Sequence, residues 1–321
     1  MGKNICFLVI IVTLILVLSF PVLAQNFKIG FVTDIGGLDD NSVNDQIRAG
    51  LLNNNQNLEL TTKIKEVNLM SNYLASLNEL AEEGFNLIWA AGYTMQEAVE
   101  EAAQMNPERQ FALLDATVNL ENVLSIQFAD QESAYLAGIT AAIYSKTGVI
   151  AFIGGRKTDK VLAYQQGFNA GAKVYRSDIK VINKYIDSFN FSLQTADICQ
   201  EVKNDGADII FHAAGANSQA IINFALKNKI YLIAADPAEI ELAPQNTLTS
   251  LRQNITYVVE QENNNLVTGK YRSGIKKYGL AENGVGLDQK QLAKFLTETE
   301  QQTIDQYRAE ISNDEISIFA E

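Results

Sequence analysis

The feature that most restricts this chain is a repeated alternation of short apolar-rich runs with stretches of helical periodicity. The runs are FKIGFVTD (27–34), TKIKEVN (62–68), NLIWAAG (86–92), QFALLDA (110–116), GVIAFIG (148–154), IKVINKYI (179–186), ADIIFHAAG (207–215) and YLIAAD (231–236). Most are continuous rather than alternating, as strands covered on both faces of a parallel sheet must be. Helical stretches fall between them at 41–54, 71–84, 95–105, 131–146, 159–172, 192–205 and 217–229. This βαβα rhythm predicts an α/β protein whose parallel sheets carry helices on both faces.

The alternation contains its own duplicate. FVTDIGGLDDNSVNDQIRAGL begins at Phe31, and AFIGGRKTDKVLAYQQGFNAGA begins at Ala151. Each copy reads as a strand, a Gly-Gly, a short polar loop with an acid, and a helix whose last turn holds Ala-Gly. The prediction is two similar doubly wound parallel-sheet lobes joined by a hinge, with a cleft at the carboxyl ends of their strands. The first lobe is read as 25–135 plus about 237–270, and the second as 136–236 plus about 271–321. Helix 131–146 sits between them, and tail elements after 247 cross back from lobe to lobe.

Residues 1–24 are read as a secretory signal: Lys3, the apolar run ICFLVIIVTLILVLSF, then small residues at Val22 and Ala24 before the cut. An uncleaved N-terminal anchor is the alternative, because the apolar run is long for a signal core. Gln25 rather than a cysteine follows Ala24, so no lipobox cysteine is seen. The expected location is exported, on the periplasmic or cell-surface side. Beyond the leader the only cysteine is Cys199, which rules out an intrachain disulfide there. The net charge is −13, and losing Lys3 makes it more acidic still. Nucleic acid and anionic membrane surfaces are therefore poor partners, since both require basic patches. One histidine, His212, leaves little room for a metal site or a catalytic triad, so neither metal nor cofactor is expected.

The predicted strand ends carry the candidate chemistry. The runs finish at Asp34, at Gly92 with Tyr93, at Asp115, at Gly215 and at Asp236. A single aspartate in such a place is explained by helix capping. Three around one cleft point instead to a ligand. Ionised carboxylates only accept hydrogen bonds, so they suit a neutral or cationic guest rich in hydroxyl or N–H donors, a sugar or a nucleoside, and repel anions. IGGLDD does not match the dinucleotide fingerprint, and no phosphate-binding P-loop occurs. Asp39 and Asp40 are adjacent and diverge in a turn, whereas Asp34 facing Asp236 leaves cleft hydrolysis open as an alternative.

The stretch GFVTDIGGLDDNSVNDQ (30–46) resembles the opening V-T-D-x-G-G-x-x-D-x-S-F-N of the basic membrane protein (BMP) family of bacterial ABC-transporter solute receptors. FALLDA with NVLSIQFADQESAYLAG is similar to that family's central signature, and YGLAENGVGL to its tail. The resemblance runs from about residue 27 to the end. It implies the two-lobed type I periplasmic-binding fold and delivery of purine nucleosides to a membrane permease and its ATPase. Carried over by motif, the ligand-binding positions are Asp34, Ser42, Val43, Asn44, Gly92, Tyr93, Asp115, Phe189, Gly215, Asp236 and Gln253. Three positions depart from the family. Val43 stands where a phenylalanine stacks on the base, Phe191 stands where an acid is usual, and Gln253 stands where a lysine is usual. AADPAE (234–239) also differs from the usual G-V-D-x-D-Q. The sequence thus predicts a monomeric receptor without covalent chemistry, with a pentose or other polyhydroxyl receptor, or a sensor feeding a membrane kinase, as the alternatives.

Overall fold

The computed structural model describes residues 27–39, 42–58 and 60–318. The leader read at 1–24, and Asp40, lie outside the described residues. The first sheet holds β1 (Phe27–Val32), β2 (Leu60–Lys65), β3 (Leu87–Ala91), β4 (Gln110–Leu114), β5 (Val123–Phe128) and, from the tail, β11 (Gly274–Tyr278). The second holds β6 (Val149–Gly154), β7 (Lys180–Tyr185), β8 (Ile209–Ala213), β9 (Tyr231–Ala234), β10 (Thr247–Gln253) and β12 (Val285–Leu287). Their spatial orders, β11-β5-β4-β3-β1-β2 and β12-β10-β9-β8-β6-β7, are the same order twice. The duplication seen in the sequence is therefore a duplication of topology. All strand pairs described run parallel except β12 against β10.

The helices are α1 (Val43–Asn57), α2 (Tyr73–Glu82), α3 (Gln96–Met105), α4 (Asp130–Tyr144), α5 (Asp159–Tyr175), α6 (Gln194–Asn204), α7 (Ser218–Asn228), α8 (Ile255–Val267), α9 (Gln289–Leu292) and α10 (Glu298–Ser312). Among the described residues, no helix is long and apolar enough to cross a membrane. Strand alternation explains why the apolar runs are continuous. Leu87, Trp89 and Ala91 face one core cluster while Ile88 and Ala90 face another. In the second sheet Ile150 and Phe152 face the shared core while Ala151 and Ile153 face a third cluster.

The tail division read from the sequence needs correcting strand by strand. β10, inside 237–270, pairs with β9 in the second sheet, and β11, inside 271–321, pairs with β5 in the first. Sheet edges explain this alternation. β5 and β10 occupy equivalent places, and each would leave unpaired backbone groups unless the tail supplied a further strand. Helix α8, between them, packs on α1 of the first half, and α4 packs on α5 of the second. The chain thus passes between the two sheets after β5, after β10 and after β11.

Candidate functional site

The polar turn after β1 is held by its own groups. The Asp34 carboxylate accepts from Asn44 Nδ2 at 2.7 Å and from the Gly36 backbone N–H at 2.9 Å. Asn44, itself buried, also donates to the Gly37 carbonyl at 2.8 Å. Arg48 pairs with Asp39 at 2.8 Å and with Asp45 at 2.7 Å. These acids serve as scaffolding that fixes the entry to α1, which places Ser42 and Val43 at its first turn.

Beyond that turn lies a cavity of about 720 Å³ that draws walls from both halves. Ser42, Val43, Gln46 and Asp115 come from the first half, Lys160, Tyr164, Asp236, Glu241 and, from β10, Arg252 and Gln253 from the second, and Asp130, Ile255 and Thr256 from the passages between them. Asp115 follows β4 with φ of 55°, a left-handed conformation that aspartate tolerates better than most residues. From the first turn of α5, capped by Thr158, Lys160 reaches Asp115 Oδ2 at 3.1 Å and Asp130 Oδ2 at 3.5 Å. Gln253 Nε2 donates to Asp130 Oδ1 at 2.9 Å. Burial alone would lower the Lys160 pKa, but Asp130, Tyr164 and Asp115 outweigh it and hold the ammonium above the ordinary lysine range. Burial pushes the Asp130 carboxyl up, against the pull of Lys160. Burial, followed by the Asp130 charge, also raises the Tyr164 phenol. Lys160 thus enters the cleft as a cation that ties the second half to the first.

Asp236 both lines the cavity and caps the short helical turn Pro237–Leu242, its Oδ1 accepting from the Ala238 N–H at 2.8 Å. Behind that turn Glu239 stands 3.7 Å from His212 Nδ1, and His212 is fully buried with both ring nitrogens free of hydrogen bonds. Burial lowers the His212 pKa, with Glu239 opposing it more weakly. In the unfolded chain the imidazole titrates near ~6.5, so on acidification the unfolded state takes up the proton first. Stability from this group is complete above about pH 6.5 and declines below it. Between about pH 7.5 and about pH 5.5 the native protein should lose stability that a His212→Gln variant does not lose. Denaturant midpoints at the two pH values check this, and equal pH responses in the two proteins would refute it.

Of the residues carried over from the sequence, the structure gathers Ser42, Val43, Asp115, Asp236 and Gln253 around the cavity. Asp34, Asn44, Gly92, Tyr93, Phe189 and Gly215 do not line it. Asp34 and Asn44 are engaged with each other, and Tyr93 follows Gly92 into a short helical turn where it is 80% exposed. Phe189 lies over Gly155 and Gly215, so close that a Cβ on Gly155 would come within 2.4 Å of its ring. Phe191 is exposed. The residue the sequence reading missed is Lys160, yet the duplication carries a signal for it. N-caps Ser42 and Thr158 are equivalent, which puts Lys160 on the position of Asn44.

Two sheets of one repeated topology with a ligand-sized cavity between them form the two-lobed periplasmic-binding architecture, and the family comparison supplies the class within it, that of ABC-transporter substrate-binding proteins. The family model described as ABC transporter substrate-binding protein PnrA-like matches residues 27–321, and the chain belongs to this Bmp family. It is 33% identical over 300 residues to basic membrane protein A of Borreliella afzelii, covering 91% of each chain. It is 31% identical over 285 residues to the ABC transporter nucleoside-binding protein BmpA of Lactococcus lactis, covering 82% of this chain and 81% of that protein. At the level of fold, it resembles a solute-binding protein of an ABC transporter system from Aeropyrum pernix, with TM-score 0.69 and 22% identity over 91% of this chain and 92% of that one. A transcriptional activator of the comK gene from Bacillus halodurans is similar too, with TM-score 0.77 and 20% identity over 90% and 99%.

Proposed function

We propose that this chain is the extracytoplasmic receptor of an ABC importer, capturing a nucleoside, with a purine as the expected base, in the cavity between its two sheets. The observation that carries the reading is the convergence of Ser42, Asp115, Asp236 and Gln253, from both halves, on one cavity of about 720 Å³. A guest that touches both halves binds the closed arrangement better than an open one and so shifts the population toward closure. Asp115 and Asp236 would accept from its hydroxyls, Ser42 and Gln253 offer further polar contacts, and the closed form would dock on the permease. The nucleoside assignment draws on the name of the Lactococcus relative.

A pentose is the second reading, and one observation favours it. Among the described residues, Tyr164 is the one aromatic ring lining the cavity, and Val43 offers no face on which a base can stack. Base–aromatic stacking is worth ~1–3 kcal/mol where it occurs, so its loss is felt. A thermal-shift panel of inosine, adenosine, guanosine, the free bases, ribose and xylose separates the two. A bound ligand at 100 times its dissociation constant should stabilise the protein by about 2.7 kcal/mol. Nucleosides are expected to raise the melting temperature and pentoses are not; the opposite pattern would overturn the nucleoside reading.

A further inference from the structure

Of the ligand positions read from the sequence, the charged ones, Asp34, Asp115 and Asp236, are all acids. The structure puts a cation among them. Lys160 Nζ sits 3.1 Å from Asp115 Oδ2 and 3.5 Å from Asp130 Oδ2. Asp130 is then engaged at both oxygens, because Gln253 donates to the other one at 2.9 Å. Asp115 keeps one carboxylate oxygen with accepting capacity, and an ammonium has three protons, of which these two acids take two. The other cation at the cavity, Arg252, leans toward Asp288 at 3.7 Å.

We propose that Lys160 is a specificity-determining residue of the cleft: with Asp115 it forms a donor–acceptor pair that reads a ligand hydroxyl and turns away an ammonium. The inference rests on the solute-receptor reading above and sharpens it. A hydroxyl is donor and acceptor at once, so it gives its proton to Asp115 while its oxygen receives the remaining Lys160 N–H. An ammonium guest has only donors and meets a like charge in the place it would need to occupy. A guest lacking that hydroxyl leaves both partners without a bond, which is how polar sites discriminate most strongly. The cleft thus selects neutral guests carrying a hydroxyl, rather than the cationic ones that acids alone would favour.

The test compares the wild type with Lys160→Met and Lys160→Gln by calorimetry. The probes are inosine, 2′-deoxyinosine, 3′-deoxyinosine, ribose and 2-deoxyribose, with butylammonium chloride followed by thermal shift against sodium chloride. The wild type should prefer inosine over one deoxynucleoside by about tenfold or more, and both variants should compress that ratio to about twofold. Butylammonium should fill the gap between Asp115 and Asp130 in Lys160→Met and raise its melting temperature, with no such rise in the wild type. An unchanged ratio, or equal responses to butylammonium, would overturn the assignment. If inosine does not bind but ribose does, the nucleoside reading falls, and the ribose to 2-deoxyribose ratio judges Lys160 in its place. If no sugar-bearing probe binds, the solute-receptor reading fails, and the butylammonium comparison alone decides for or against the lysine.

Discussion

Asn263→Leu is expected to cost about 2–5 kcal/mol of unfolding free energy, because it strands two buried polar groups at once. Asn263 lies on α8 and is fully buried; its Oδ1 accepts from Trp89 Nε1 at 2.9 Å, and its Nδ2 donates to Asn54 Oδ1 at 2.9 Å. Asn54 in turn donates to the Glu260 carbonyl at 3.4 Å. The chain of bonds joins β3, α1 and α8, so it fastens a helix made after β10 back onto the first sheet. Leucine matches asparagine in branching and heavy-atom count but has no polar atom and bulkier methyl ends, which leaves the indole N–H and Asn54 Oδ1 unpaired in the core. Each orphan costs ~1–3 kcal/mol, whereas leucine returns only the modest gain of a buried apolar group. Guanidinium unfolding should show a lower midpoint at unchanged slope. Adding Asn54→Leu removes one orphan, so the double variant should lose less than the sum of the two single losses. A loss below about 0.5 kcal/mol for Asn263→Leu would mean that the network carries no stability. Since Ile255 and Thr256 at the start of α8 line the cavity, loosening this helix is also expected to weaken ligand binding.

The elements that the sequence disclosed are those whose burial is uniform. β3, β4, β6 and β8 consist of side chains packed on both faces, and their apolar runs announce them. β5 and β10 were harder to see because hydroxyls sit inside them. Ser125 is buried and bonds the Val118 backbone through its hydroxyl, and Thr249 donates to the Asp288 carbonyl at 3.2 Å. Such polar residues break the apolar run without breaking the strand, because their partners lie on loops outside it, seven residues upstream for Ser125 and at the Asp288 helix cap for Thr249. The cleft follows the same logic. Asp115 and Asp236 end recognisable strands, so their convergence on the cavity was legible. Lys160 was not, because its role depends on a long side chain crossing to the other half, and only the internal repeat ties it to Asn44. Asp34 stands apart for a related reason: its Oδ1 accepts two hydrogen bonds within the turn, and the residue does not line the cavity.

Gly171→Ala should destabilise the protein although alanine is the better helix former. In the interior of a helix the exchange favours alanine by about 0.5–1 kcal/mol on propensity alone. Here the new methyl would lie 1.9 Å from the Tyr135 carbonyl oxygen across the α4–α5 contact. Gly138 faces the Phe168 carbonyl at 2.1 Å and Gly167 faces that of Gln131 at 2.2 Å, so the two helices meet backbone to backbone at three glycines. No side-chain rotation relieves these clashes, and one helix must move. Overpacking of this kind costs ~1–3 kcal/mol and more when backbone must shift, which exceeds the propensity gain. The expected result is a lower denaturant midpoint for Gly171→Ala, and a neutral or stabilised variant would refute the close contact. Gly167→Ala carries the argument to the cleft. Its obstacle, Gln131, adjoins Asp130, while Lys160 sits two turns back along α5, so forcing the helices apart there should stretch the Lys160–Asp130 pair. That variant should therefore lose ligand affinity in addition to stability, whereas Gly171→Ala, farther from the cavity, should lose mainly stability.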